Sequence, residues 1–160
     1  MNLAEIVKQK FSNEVVSMMD QQGDPLVYIK REAVSKVLKA LKEDAGLSFD
    51  VLMDLFAVDY LHWEEKADRF EIIYNLFSST KLHRLFVKVA VPEREPSLDS
   101  VASVWPAADW FEREVWDMFG VSFKGHPNLK RILMYEEFKG HALRKDYLYN
   151  KRQPLIGPMN

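Results

Sequence analysis

Two alternating segments constrain this chain more than any other feature. Between Phe70 and Phe77, the side chains of Phe70, Ile72, Tyr74 and Leu76 share one face, and Glu71, Ile73, Asn75 and Phe77 share the other. Between Arg84 and Val91, one face takes Leu85, Val87, Val89 and Val91. A period of two is the mark of a strand. With the loop Ser78-Ser79-Thr80-Lys81 between them and Pro92 ending the second, the two segments predict an antiparallel hairpin.

The flanking sequence supplies helices to cover such a sheet. Leu3, Ile6, Val7 and Phe11 predict a short amphipathic helix, and Val15 and Val16 then lead to a turn cluster at Gln21-Gln22-Gly23-Asp24-Pro25. Leu26 to Ile29 is a compact strand. Val34, Val37, Leu38, Leu41 and Ala45 form one stripe of a helix from about Arg31 to Ala45, with Gly46 placed for a left-handed cap. The dense run Phe49 to Leu61 reads as a short helix, Asp50 to Phe56, entering an extended segment, and His62 to Asp68 is a charged loop. Glu93-Arg94-Glu95-Pro96 is a linker, Ser97 caps a short helix through Val104, and a last helix runs from Pro106 to Phe119 with Gly120 ending it. Beyond Gly120 no period is sustained, although Phe123, Leu129, Ile132, Leu133 and Tyr135 are too apolar for plain disorder. The expectation is an α+β domain over 1–120, with a small, mainly antiparallel or mixed sheet flanked by helices. An extended C-terminal arm over 121–160 would fold against something.

Charge singles out the same arm. The formal net charge is −2, but residues 1–120 sum to −7 and residues 121–160 to +5. An acidic body with a basic tail implies a tail that meets something negative. The 160 residues contain no cysteine, which removes disulfides, a catalytic thiol and thiolate ligands for zinc or an iron–sulfur cluster. No apolar run approaches the ~20 residues of a membrane span, and the opening MNLAEIVKQKF lacks a signal core, so the cytoplasm is the default location.

Individual motifs for chemistry are weak. On the Pro106–Phe119 helix, Glu112 and Glu114 fall on opposite flanks of the apolar stripe and cannot share a proton, while Asp109, Arg113 and Asp117 form an acid–Arg–acid ladder. Ladders of this kind are common on solvated faces and contribute only about 0.3–0.5 kcal/mol per pair. Neither His62, His83, His126 nor His141 has metal-ligand spacing, and there is no phosphate loop or GxSxG elbow. The arm interleaves Lys124, Lys130, Arg131, Lys139, Arg144, Lys145, Lys151 and Arg152 with aromatic residues. That pattern suits single-stranded nucleic acid, but the acidic body argues for a protein partner instead.

The distinctive residues are Glu112-Arg113-Glu114-Val115-Trp116-Asp117-Met118-Phe119-Gly120-Val121, then His126-Pro127-Asn128-Leu129-Lys130-Arg131-Ile132-Leu133-Met134, Gly140-His141 and Arg144-Lys145-Asp146-Tyr147. This string resembles the signature of the 30 kDa subunit family of respiratory complex I, the C subunit of bacterial NADH–quinone oxidoreductase. The match runs in order from Trp110 to Tyr147, and the upstream pattern is compatible with it. The resemblance implies a component of the peripheral arm of a proton-translocating enzyme that passes electrons from NADH to quinone. It implies no catalytic residue and no cofactor in this chain, with flavin, iron–sulfur clusters and quinone in partner subunits. The implied neighbours are the 49 kDa (D) subunit, braced by this chain and overlain by its arm, and adjacent iron–sulfur subunits. The implied place is the cytoplasmic side of the bacterial inner membrane, with no span of its own. Fusion to the 49 kDa partner occurs in the family, whereas this sequence stops at Asn160, which implies a separate partner chain. The residues carried over as contact or structural positions are Glu112, Arg113, Glu114, Asp117, His126, Lys130, Arg131, Arg144, Lys145, Asp146 and Tyr147. Arg113, Arg131, Arg144 and Asp146 are expected to make charged hydrogen bonds within the arm or across the boundary with a neighbour. The sequence departs from the family's usual prolines at Ala142 and Leu148, which leaves the local path of the arm open. The alternatives are the equivalent subunit of an F420H2- or ferredoxin-linked dehydrogenase or of a membrane-bound hydrogenase, a single-strand nucleic-acid module, and, more distantly, an independent hydrolase.

Overall fold

A computed structural model of the chain describes residues 3–21 and 23–154. The elements are α1 (Leu3–Lys10), β1 (Val15–Gln21), β2 (Asp24–Ile29), α2 (Val34–Glu43), β3 (Val51–Asp59), β4 (Phe70–Ser78), β5 (His83–Val91), β6 (Ser97–Asp99), α3 (Ala108–Phe119) and β7 (Ser122–Lys124). The expected hairpin is present: β4 and β5 pair antiparallel from Phe70↔Val91 to Ser78↔His83. Five strands form one sheet in the order β1-β2-β5-β4-β3, antiparallel except for the central β2–β5 pair, so the sheet is mixed and the fold α+β.

The core lies on one face of this sheet. Val27, Val87, Ile72, Tyr74, Leu76 and Leu55 share it with Val7 of α1, Val37, Leu38 and Leu41 of α2, and Val115 of α3. Alternation places Leu26, Phe86, Ile73 and Phe56 on the opposite face, outside that cluster. At the far side of the core, β6 and β7 form a short parallel pair that fixes where the chain leaves α3.

Five local expectations give way. The segment expected to be a helix at Asp50–Phe56 is, from Val51 on, the start of β3, whose register against β4 slips between Leu52 and Asp54. The bulge spaces the buried residues as Leu52, Leu55, Ala57 and Asp59, and its first interval imitates a helical i, i+3. Val15 and Val16 open a strand, β1, whose register slips between Val15 and Ser17 and so hides its alternation. Ser97 caps no helix: it starts β6, and only one tight turn follows, with the amides of Val104 and Trp105 bonded to the carbonyl of Val101. Gly46 is not left-handed either. Asp44 closes α2 by accepting the amides of Gly46 and Leu47, and the positive φ falls at Ser48. The segment expected to be an irregular arm over 121–160 opens with a strand, β7, paired to β6, and among the described residues after Lys124 there is no helix or strand.

Candidate functional site

The signature residues lie on α3 and on the chain that follows it, and they divide into three groups. The first centres on Asp117. Its side chain is fully buried, and one carboxylate oxygen accepts the consecutive amides of Ile132, Leu133 and Met134 at 3.0, 2.9 and 2.9 Å. The other oxygen takes the Arg131 guanidinium, whose second nitrogen donates to the carbonyls of Phe138 (2.7 Å) and Gly140 (3.1 Å). One turn earlier on α3, Arg113 donates to the carbonyls of Lys130 (3.1 Å) and Arg131 (3.0 Å). Burial pushes the Asp117 carboxyl up, but the three amides and Arg131 outweigh it and hold it below its ordinary range. The solvated acid–Arg–acid face therefore does not exist. Asp117 is wrapped by residues 131–134, and Arg113 spends its donors on backbone carbonyls.

The helix end shapes this wrap. Gly120 caps α3 with φ +78, and the His141 ring lies where its Cβ would be, 2.6 Å away. His141 Nδ1 sits 3.0 Å from the Asp117 carbonyl, and the Leu143 amide donates to the Met118 carbonyl at 3.0 Å. Only a glycine allows both the left-handed turn and the ring so close above it.

The second group centres on Glu112, which has no exposed surface. Its carboxylate accepts the Ser100 hydroxyl (2.6 Å) and the Val101 amide (2.7 Å). His126, its side chain fully buried, has Nε2 3.9 Å from that carboxylate and 3.1 Å from the Asp109 carbonyl. Since His126 Nδ1 accepts the Asn128 amide, Nε2 is assigned the proton and donates to Asp109. Burial raises the Glu112 carboxyl above its usual range despite the Ser100 and Val101 bonds. A raised carboxyl in a cleft would suggest an acid catalyst, but Glu112 has no surface to meet a substrate. It ties the β6–α3 connection together.

In the third group, Asp59, Arg69 and Glu93, which the sequence did not single out, meet Asp146 of the signature. Arg69, at the start of β4, forms paired hydrogen bonds with Asp59 (3.0 and 2.9 Å) and with Asp146 (3.1 and 2.7 Å), and also bonds Glu93. Asp59 in turn accepts the amides of Leu61 (2.9 Å) and Lys145 (2.8 Å). The Arg69 and Arg144 guanidiniums lie 5.0 and 5.1 Å from the Phe70 ring centroid. Tyr147 stacks on Phe138 at 5.8 Å, and a Cβ on Gly140 would touch its ring at 3.0 Å. Glu114 stands apart, exposed, and Lys130 and Lys145 contribute backbone groups while their side chains are exposed. No sequence pattern marks Asp59, Arg69 or Glu93 as a set; the only hint is the charge Arg69 carries directly before a largely buried strand.

All the bonds of Arg113, Arg131 and Asp146 named here are made within this chain. The tail turns several apolar side chains outward: Leu133, Leu143, Leu148 and Tyr149 are exposed, Tyr149 almost entirely (98%), beside exposed lysines and the exposed Glu136 and Glu137. Among the described residues no group of three or more His, Asp and Glu could hold a metal, and no helix is long and apolar enough to cross a membrane.

The comparisons with known proteins agree with one another. A family described as the respiratory-chain NADH dehydrogenase 30 kDa subunit matches residues 27–153. The C subunit of the NADH-quinone oxidoreductase of Citrifermentans bemidjiense is 42% identical over 152 residues, covering 95% of this chain and 88% of that protein. The C/D subunit of the Bdellovibrio bacteriovorus NADH-quinone oxidoreductase is 41% identical over 152 residues, which is 95% of this chain but 26% of that longer protein. A solved structure, the trypsin-resistant fragment (1–134) of Nqo5, superposes with a TM-score of 0.71 at 32% identity and covers 81% of this chain and all of the fragment.

Proposed function

Because this chain belongs to the 30 kDa subunit family of the respiratory-chain NADH dehydrogenase, we propose that it acts as a non-catalytic brace in the peripheral arm of a complex I-type NADH-quinone oxidoreductase. The partner it braces is the 49 kDa (D) subunit, beside neighbouring iron–sulfur subunits, on the cytoplasmic face of the bacterial membrane. The observation that carries this reading is the two-sided construction of the tail. Arg131 and Asp146 turn toward the body, to Asp117 and Arg69, while Leu133, Leu143, Leu148 and Tyr149 face out beside the exposed Lys130 and Lys145. Exposed apolar side chains among cations form a surface suited to another polypeptide.

Two comparisons support the choice of partner and of mode. The Bdellovibrio protein, whose name joins C with D, carries a region similar to this chain within a much longer polypeptide, which favours the 49 kDa partner as the neighbour. The Nqo5 fragment withstood trypsin at residues 1–134, which favours a self-sufficient body and a more vulnerable tail. Flavin, iron–sulfur clusters and quinone belong, in this reading, to the partner subunits. The buried Glu112, Asp117 and His126 fasten backbone and have no route to a substrate.

The test is co-purification from native membranes. A tagged chain should bring down the subunits of an NADH–quinone oxidoreductase, and deleting the residues after Lys124 should abolish that association while the body stays folded. Recovery of the chain alone from membranes and cytosol, or turnover of any substrate by the purified chain, refutes the proposal.

A further inference from the structure

The outer face of the sheet carries a groove that neither the helices nor the tail explains. Leu26, Phe56, Val58, Ile73 and Phe86 line its middle, over a volume of about 260 Å³, with Asp24 at one end and Tyr60, Glu71 and Lys88 at the other. Phe56 and Met19 are 39% and 50% exposed, and Met19 pairs across β1–β2 with Leu26, extending the apolar surface beyond the groove. Asn75, beside Phe86 in the same row of the sheet, holds a buried side-chain oxygen with no hydrogen-bond partner.

The polar end is built with more cations than anions. Glu71 receives Lys66 at 2.9 Å, Lys88 at 3.1 Å and the Tyr60 hydroxyl at 3.4 Å. The carboxylate lies behind, 3% exposed, and the two ammoniums stand in front at 32% and 20%. Lys66 lies over Tyr60 and Tyr28, and Lys88 over Tyr28. One carboxylate thus faces two ammoniums, and the surplus positive charge sits at the end of an apolar groove on a body whose net charge is −7. Whatever covers this end must bring an anion, because covering a partly paired ammonium without one is costly.

We propose that the groove is a second docking surface, taking a segment of a partner protein that inserts an apolar side chain between Phe56 and Phe86 and lays a carboxylate over Lys66 and Lys88. This rests on the multisubunit reading above, but the groove lies on the outer face of the sheet, apart from the tail, and engages a separate stretch of partner.

Photo-cross-linking in the assembled complex tests it. A photoreactive phenylalanine analogue is placed at Phe56, and in a second variant at Met19, both partly exposed so that the core is untouched. A third variant carries it at Tyr149, to report on tail contacts. Adducts from Phe56 or Met19 should map to another subunit, at a peptide where Asp or Glu lies within a few residues of an aliphatic or aromatic side chain. Lys66→Gln should lower their yield about fivefold, the effect of losing a partly exposed ion pair, and leave the Tyr149 adduct unchanged. If Tyr149 cross-links to a foreign subunit while Phe56 and Met19 give no protein adduct, or adducts only to lipid, to this chain or to a second copy, the groove proposal falls and the proposed function stands. An unchanged yield with Lys66→Gln also overturns it. If none of the three positions reaches another subunit, both fall together.

Discussion

Replacing Asp117 with alanine tests whether the signature residues fasten the tail to the body. The substitution removes the acceptor for three amides and the Arg131 guanidinium, and leaves all of them facing a buried methyl group. Removing one member of a buried charge pair costs about 3–5 kcal/mol. Residues 125–154 have no helix or strand to keep them in place, so the loss should appear as local release of the tail rather than collapse of the five-stranded sheet. A change of about 3 kcal/mol shifts a closed-to-open equilibrium by roughly 150-fold, since each 1.4 kcal/mol is a factor of ten. Trypsin cleavage after Lys130, Arg131 and Lys139 should therefore accelerate by about two orders of magnitude while cleavage tracks the open population. Hydrogen exchange at Ile132, Leu133 and Met134 should rise in proportion, with the melting of the body nearly unchanged. Asp117→Asn keeps one acceptor oxygen and should fall between. Unchanged exchange at 132–134 in the alanine variant would show that the tail is held by something other than this carboxylate, and the reasoning would fail.

Other outcomes follow from the same contacts. Arg69→Met strands the buried Asp59 carboxylate, whereas Asp146→Asn leaves Arg69 with Asp59 and Glu93. The first should lower stability by about 3–5 kcal/mol and the second far less, as read by thermal melting. Gly120→Ala puts a Cβ within 2.6 Å of the His141 ring at φ +78. The left-handed turn alone costs about 1–2 kcal/mol, and the displaced ring should expose the Leu143 amide to exchange. Two carboxyls respond to pH with opposite sign. Asp117 binds its proton less tightly folded than unfolded, so its stabilisation is present above its ordinary value of 3.8 and is lost as pH falls through its lowered folded value; tail release should grow in acid, and that pH dependence should be absent from Asp117→Asn. Glu112 binds its proton more tightly folded than unfolded, so it destabilises as pH rises from 4.5 through its raised folded value; Glu112→Gln should flatten that segment of a stability-versus-pH curve.

The parts legible in the sequence were those where one physical period runs without interruption. Phe70–Phe77 and Arg84–Val91 alternate without a slip, and their pairing is continuous. The β1 and β3 strands each carry a register shift, and that single extra residue breaks the alternation that would have marked the dense run from Phe49 as a strand. Ser97 shows the same limit at a boundary: a residue suited to capping a helix is taken by a parallel partner, Ser122, 25 positions downstream, which no local pattern announces. At the site, the ordered signature made α3 and the tail recognisable as one unit, yet their geometry was read inside out. Asp109, Arg113 and Asp117 have the spacing of a solvated ladder, and spacing carries no information about a tail that has no period of its own. Asp59 and Arg69 were invisible because their meaning depends on Asp146, 77 residues beyond Arg69.

That inversion changes what an interface should be expected to look like in this chain. A buried arginine–carboxylate pair loses several kcal/mol when one member is removed, so Asp117–Arg131 tolerates few substitutions and stands out as part of the motif. The outward surface has no such demand. Leu133, Leu143, Leu148 and Tyr149 need only be apolar and near the right size to fit a neighbour, and Lys130 and Lys145 need only keep their backbones in place while their side chains are free for a partner. The residues that make the family recognisable are therefore those that hold the tail in one shape, and the residues that meet another polypeptide are the unremarkable ones between them. A variant with the outward apolar residues changed to serine should keep the protected tail of the parent and lose only the partner, which separates holding the shape from using it.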